Sequence, residues 1–124
     1  MDKWAAQNTF WNSFGIPAYD EQTSFRADDQ PVYPHITYQS MGGVLDQVMN
    51  LSASLWYKSD SWKEIKQKSD EMLAEIADGK VIPLDDGYFW VHLSNTPFAQ
   101  PMDSGSDKLK RVYITVQAEC LTAR

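Results

Sequence analysis

Two hydrophobic periods meet in one stretch of the chain. From Met49 to Tyr57 the pattern alternates, with Met49, Leu51, Ala53, Leu55 and Tyr57 on one side and Asn50, Ser52, Ser54 and Trp56 on the other. A period of two marks a strand with one buried face. After Lys58 the spacing becomes helical: Trp62, Ile65, Met72, Leu73 and Ile76 form an apolar stripe, and Lys63, Glu64, Lys66, Lys68, Glu71 and Glu75 occupy most of the remaining circumference. Ser61 with Glu64 three residues on reads as a capping box, and Asp78-Gly79 as a helix stop. A strand that feeds directly into an amphipathic helix predicts a sheet with a helix lying on it.

The rest of the chain is read around that unit. Trp4, Phe10, Trp11 and Phe14 predict a first helix from about Asp2 to Phe14, stopped by Gly15 and Pro17, with the tryptophans Trp4, Trp11 and Trp62 in the core. Residues 18–31 are polar and aperiodic, a loop with room for a short extended piece around Thr23 to Arg26. Val32 to Ser40 alternates again, with Pro34 delaying its pairing, and is expected to form an antiparallel hairpin with the strand that starts at Val48. Beyond the helix, Val81 to Leu84 and Tyr88 to Leu93 flank the turn signal Asp85-Asp86-Gly87. Ser94 to Asp107, with two prolines, reads as a long loop. Arg111 to Cys120 alternates cleanly, placing Val112, Ile114, Val116, Ala118 and Cys120 inward. The expected order is α-β-β-α-β-β-β in one α+β domain, residues 1–124. Its mainly antiparallel sheet of four or five strands would carry an N-terminal helix and one long central helix on one face.

Composition narrows the function classes. A net charge of -6 argues against sequence-specific nucleic-acid binding, because phosphate neutralisation needs a basic surface. The short basic run Lys108-Leu109-Lys110-Arg111 reads as the solvated entrance to a strand. One cysteine allows no internal disulfide. The first ten residues lack the apolar run of a signal peptide, and no stretch has the length of a membrane span, so a cytoplasmic origin and no membrane partner are expected.

A search for chemistry returns no catalytic, cofactor-binding or metal site. His35 and His92 both fall in predicted strands and could meet only if those strands were neighbours, and a metal would still want three or four ligands. Cys120 continues an apolar alternation, which makes it a small core residue. Asp28-Asp29 and Asp85-Asp86 sit in turns, where Asp is favoured by bonding to nearby amides. Trp56, on the polar side of its strand, is a candidate for an intermolecular contact.

The order of these elements, with Tyr33-Pro34-His35-Ile36 opening one strand, Leu55-Trp56-Tyr57 closing the next and Ser59 to Ile65 leading into the helix, resembles the tail terminator and tail-completion (tail-to-head joining) proteins of long-tailed bacteriophages and prophages. The resemblance covers most of the chain through structural motifs. It implies a virion protein with no enzymatic activity and no cofactor, made in the bacterial cytoplasm. Its copies would form a ring, typically a hexamer, that caps the tail tube and joins it to the head, with the tail-tube and head-connector proteins as partners. Loops and exposed strand edges make the contacts in that family. The interface candidates are therefore Phe25 and Arg26 in the first polar loop, Trp56, and Phe98, Met102 and Asp103 in the long loop. For the loop residues the alternative is packing onto their own domain. The alternative functions are another neck or minor structural protein of the same virion, and a small ligand-binding or enzymatic α+β domain using His35 and His92.

Overall fold

The last strand of the chain is the centre of the sheet. A computed structural model describes residues 2–21, 32–42, 48–85, 87–94, 97–103 and 105–122. Its elements are α1 (Lys3–Trp11, continued by a 3-10 turn Asn12–Phe14), β1 (Ala18–Asp20), β2 (His35–Tyr38), β3 (Val48–Lys58), α2 (Lys63–Ala77), β4 (Lys80–Pro83), β5 (Gly87–His92), β6 (Ala99–Met102) and β7 (Leu109–Thr122). The sheet runs β1-β2-β3-β7-β5-β4. β3 pairs with β7 along its whole length, from Val48↔Glu119 to Lys58↔Leu109. The other edge of β7 is shared: β6 takes Arg111 to Ile114 and β5 takes Gln117 to Thr122.

Alternation makes the core. Met49, Leu51, Ala53 and Leu55 of β3, Phe89 and Val91 of β5, and Val112, Ile114, Val116, Ala118 and Cys120 of β7 share one face and one buried cluster. Ala6, Phe10 and Trp11 of α1 and Ile65, Met72 and Ile76 of α2 complete that cluster, so both helices lie on the same side of the sheet. α2 touches the central strands β3, β7 and β5, whereas α1 touches β1 and β4, the two opposite edges. One helix can reach both edges only because the sheet curls around it.

This architecture corrects the expected α+β layering. Strands take 45% of the structure and helices 27%, and the sheet is a curled, mixed half-barrel, not a flat antiparallel layer under a long central helix. Two strands fall in stretches read as loops. β1 has three residues and runs parallel to β2, and β6 has four with Pro101 among them. Pieces this short carry no legible period; their extended state comes from the neighbour they pair with. The capping box does not form either. The Ser61 hydroxyl accepts from the Lys63 amide at 3.1 Å, and the helix begins after Trp62 without a side-chain cap. The stop does form: Gly79 takes φ 84° and its amide bonds the Ile76 carbonyl at 2.8 Å. Trp4, expected in the core, is 49% exposed, while Trp11 is fully buried.

Two side-chain amides fasten α1 to the sheet. Gln7, fully buried, pairs with both backbone groups of Met41: its Nε2 donates to the carbonyl at 2.7 Å and its Oε1 accepts from the amide at 2.9 Å. Asn12 does the same for Ala18, donating at 3.2 Å and accepting at 3.0 Å. Pro17 and Glu21 bond to β2, so the backbone groups of Ala18 face the open edge of the sheet, and Asn12 occupies the place of the next strand.

Candidate functional site

With both helices on the concave side, no helix among the described residues covers the convex face. The polar half of each alternation lies there, and the registers define two rows. The first crosses four strands: His35↔Trp56, Trp56↔Arg111 and Arg111↔Met102. Its side chains are stacked. The Tyr33 and His35 rings lie 4.7 Å apart, His35 and Trp56 are near-parallel at 6.5 Å, and the Arg111 guanidinium sits 5.1 Å from the Trp56 ring centre. Hydrogen bonds hold the planes in place: Trp56 Nε1 donates to Thr37 Oγ1 at 2.8 Å and Arg111 Nε donates to Ser54 Oγ at 2.9 Å. Among the described residues no carboxylate lies within ion-pair distance of Arg111.

The second row lies toward the other end of the face, through Val48↔Glu119, Glu119↔Trp90 and Trp90↔Val81. Val81, Val48 and Trp90 are 58%, 53% and 36% exposed, and Tyr88, two residues along β5 on the same face, 49%. His92 packs against Trp90 at 4.3 Å; its Nε2 is 3.1 Å from the Glu119 carboxylate and its Nδ1 3.1 Å from the Leu93 carbonyl. Exposed apolar side chains thus gather on β3, β5 and β4 of one face, around the Glu119 carboxylate of β7, and a cluster of this kind rimmed by polar groups is a candidate interaction site.

No family model and no curated protein matches the chain.

The interface candidates separate on this framework. Trp56 and Met102, picked from different elements, stand in one row with Arg111 between them. Phe98 packs half-buried against the core, and its carbonyl accepts from the Thr115 amide at 3.0 Å, so it belongs to its own domain. The Asp103 carboxylate accepts from the Gly105 amide at 2.8 Å and shapes the turn between β6 and β7. Phe25 and Arg26, with the extended piece expected around Thr23 to Arg26, lie outside the described residues. Arg111 was missed because it ends a basic run. The available signal was its place in the alternation, outward beside Tyr113. Trp90 was also missed, although Tyr88, Trp90 and His92 are aromatic on the outward side of a strand whose inward side is already apolar.

The two histidines do not meet. His35 shares the row of Arg111 and His92 pairs with Gln117, six residues further along β7, a separation on the order of 20 Å. His35 is 4% exposed beneath Tyr19, Tyr33 and Trp56, with Nδ1 3.1 Å from the Val32 carbonyl. Burial holds its pKa below the usual 6.5, against a smaller opposing effect of that hydrogen bond. Among the described residues no group of three or more His, Cys, Asp or Glu could hold a metal ion, and no helix is long and apolar enough to cross a membrane. A cleft of about 460 Å³ lies between Val32, Tyr33 and Pro34 on one side and Tyr57, Lys58 and Glu64 on the other. Burial, then the Glu64 and Glu71 carboxylates, raise the Tyr57 pKa above 10.0, so its phenol stays protonated and is no nucleophile at neutral pH. The arrangement can bind surfaces, and among the described residues it assembles no nucleophile-base pair.

Proposed function

We propose that this chain is a structural protein of a long-tailed bacteriophage or prophage virion, whose copies join in a ring, a hexamer in the simplest form, that caps the tail tube and connects it to the head. The observation that carries the reading is the uncovered convex face. β3, β5 and β4 expose Val48, Tyr88, Trp90 and Val81 on one face, around Glu119 of β7, a poor use of apolar surface for a lone domain and a good one for a subunit. The residues behind the family resemblance also fall together, since Tyr33 and His35 of the strand opening stack on Trp56 of the strand ending. A net charge of -6 suits a conduit wall that should not grip phosphate.

Light scattering on the purified protein, with negative-stain images of the same fractions, tests the reading. A closed ring near six subunits, alone or on adding tail-tube protein, is the expected result. A particle that stays monomeric at every concentration, with tail-tube protein present, overturns it. Pull-down against tail-tube and head-connector proteins then separates a terminator from another neck component.

A further inference from the structure

We infer that the ring contact is face-to-back, with Arg111 of one copy seated against the carboxylates on the C-terminal half of α2 of the next. The inference rests on the ring reading above and names the surfaces that close it. Two charge sets on opposite sides of the molecule, largely without ion-pair partners among the described residues, support it.

On the convex side, Arg111 is a prepared donor for an anion. The Trp56 plane and the Ser54 hydroxyl fix the guanidinium through its face and its Nε, and no described residue takes its two Nη groups. A planar fork held this way matches a carboxylate bidentately and loses little freedom on binding. Lys58, exposed on the same face two residues from Trp56, adds positive charge at this end. Trp56 and Met102 flank the fork with apolar surface, the usual surround of a charged anchor.

On the helical side, the second half of α2 exposes Asp70, Glu71 and Glu75, followed by Asp78, with no basic residue in the last turn. Glu71 has Lys68 at 3.7 Å; Asp70, Glu75 and Asp78 have no ion-pair partner among the described residues. Carboxylates at a helix C-terminus oppose the helix dipole, so this end of α2 is stabilised by a cation brought from outside. In a chain with 17 acidic and 11 basic residues, a half-buried arginine without a carboxylate is the scarce partner. The two surfaces lie on opposite sides of the sheet, so pairing them is head-to-tail, a contact that makes no two-fold dimer and closes into a ring where the rotation per copy completes a circle.

Charge reversal tests this in the full chain, read by light scattering and negative stain under the conditions where the wild type forms rings. Arg111→Glu and, separately, Glu75→Lys with Asp78→Lys should each leave monomers. The α2 variant places cations where the helix dipole favours them, so it keeps the fold even if Arg111→Glu weakens it; circular dichroism checks both. Combining Arg111→Glu with the two lysines in one chain restores opposite charges at every contact and should restore rings. Rings that persist in either one-surface variant overturn the face-to-back contact and leave the ring reading standing. Loss in both without recovery in the combined chain also overturns the pairing. A wild type that never forms rings fails the ring reading itself.

Discussion

Gln7 offers the cleanest measure of what fastens α1 to the curled sheet. Gln7→Met keeps the length of the side chain and its helix propensity but removes the amide that pairs with Met41. Two good bonds are lost, at 2.7 and 2.9 Å, with a weaker one to the Lys3 carbonyl at 3.3 Å. A neutral hydrogen bond contributes about 1 kcal/mol net, and an abandoned buried partner costs about 1–3 kcal/mol. Met41 is only partly buried, so water can reach its backbone and the lower end applies. The expected loss is about 2–3 kcal/mol, or roughly 8–12 °C in Tm for a chain of this length. Urea unfolding followed by tryptophan fluorescence would show the midpoint falling by about 1–2 M with an unchanged slope. Asn8→Ala is the control. It removes one bond, from Asn8 Nδ2 to the Tyr38 hydroxyl at 2.9 Å, and should cost about 1 kcal/mol or less. A loss below about 0.5 kcal/mol in Gln7→Met, or one no larger than in the control, refutes the claim that the Met41 pairing holds the helix.

Other expectations follow from single features. His35 is harder to protonate folded than unfolded, so the unfolded chain binds more protons below about pH 6.5; stability is full above that pH and falls as pH drops through it. Urea midpoints from pH 8 to 5 should show that slope, and His35→Phe should flatten it. Gly79→Ala forces a left-handed backbone at φ 84° and sets a Cβ 2.8 Å from Trp90 Nε1, costing about 1–3 kcal/mol by thermal melt. Phe89→Ala empties a fully buried position between β4 and β7 and should cost about 3–5 kcal/mol in urea unfolding. Asn12→Ala bares the Ala18 edge, and the measurable consequence is faster aggregation on heating at an initial loss of about 1–2 kcal/mol.

What could be read from residue order was local. The alternation of β7 placed five inward side chains correctly because a strand between two neighbours has no freedom to turn over. The switch of period after Lys58 located β3 and α2 for the same reason: both are long enough for their period to repeat. β1 and β6 are not, and a parallel pairing such as β1 with β2 leaves no mark on three residues. The curl was invisible too, since it depends on Trp11 and Phe10 filling a space that only the closed sheet defines. Trp56 could be picked from its side of the strand alone. Arg111 and Trp90 needed the registers that bring β7 beside β3 and β5, and those are long-range facts.

The place of β7 has a consequence in time. It is made after β3, β5 and β6, yet all three pair with it. A growing chain can form α1, α2 and the β2–β3 and β4–β5 hairpins as they emerge, but these stay two separate pieces with their apolar sides bare. Only when β7 clears the ribosome does it slot between them, and α1, synthesised before them, then docks across both rims. The convex face is therefore laid out only once β7 is in place, and a chain that stops short of β7 presents neither of its two rows whole.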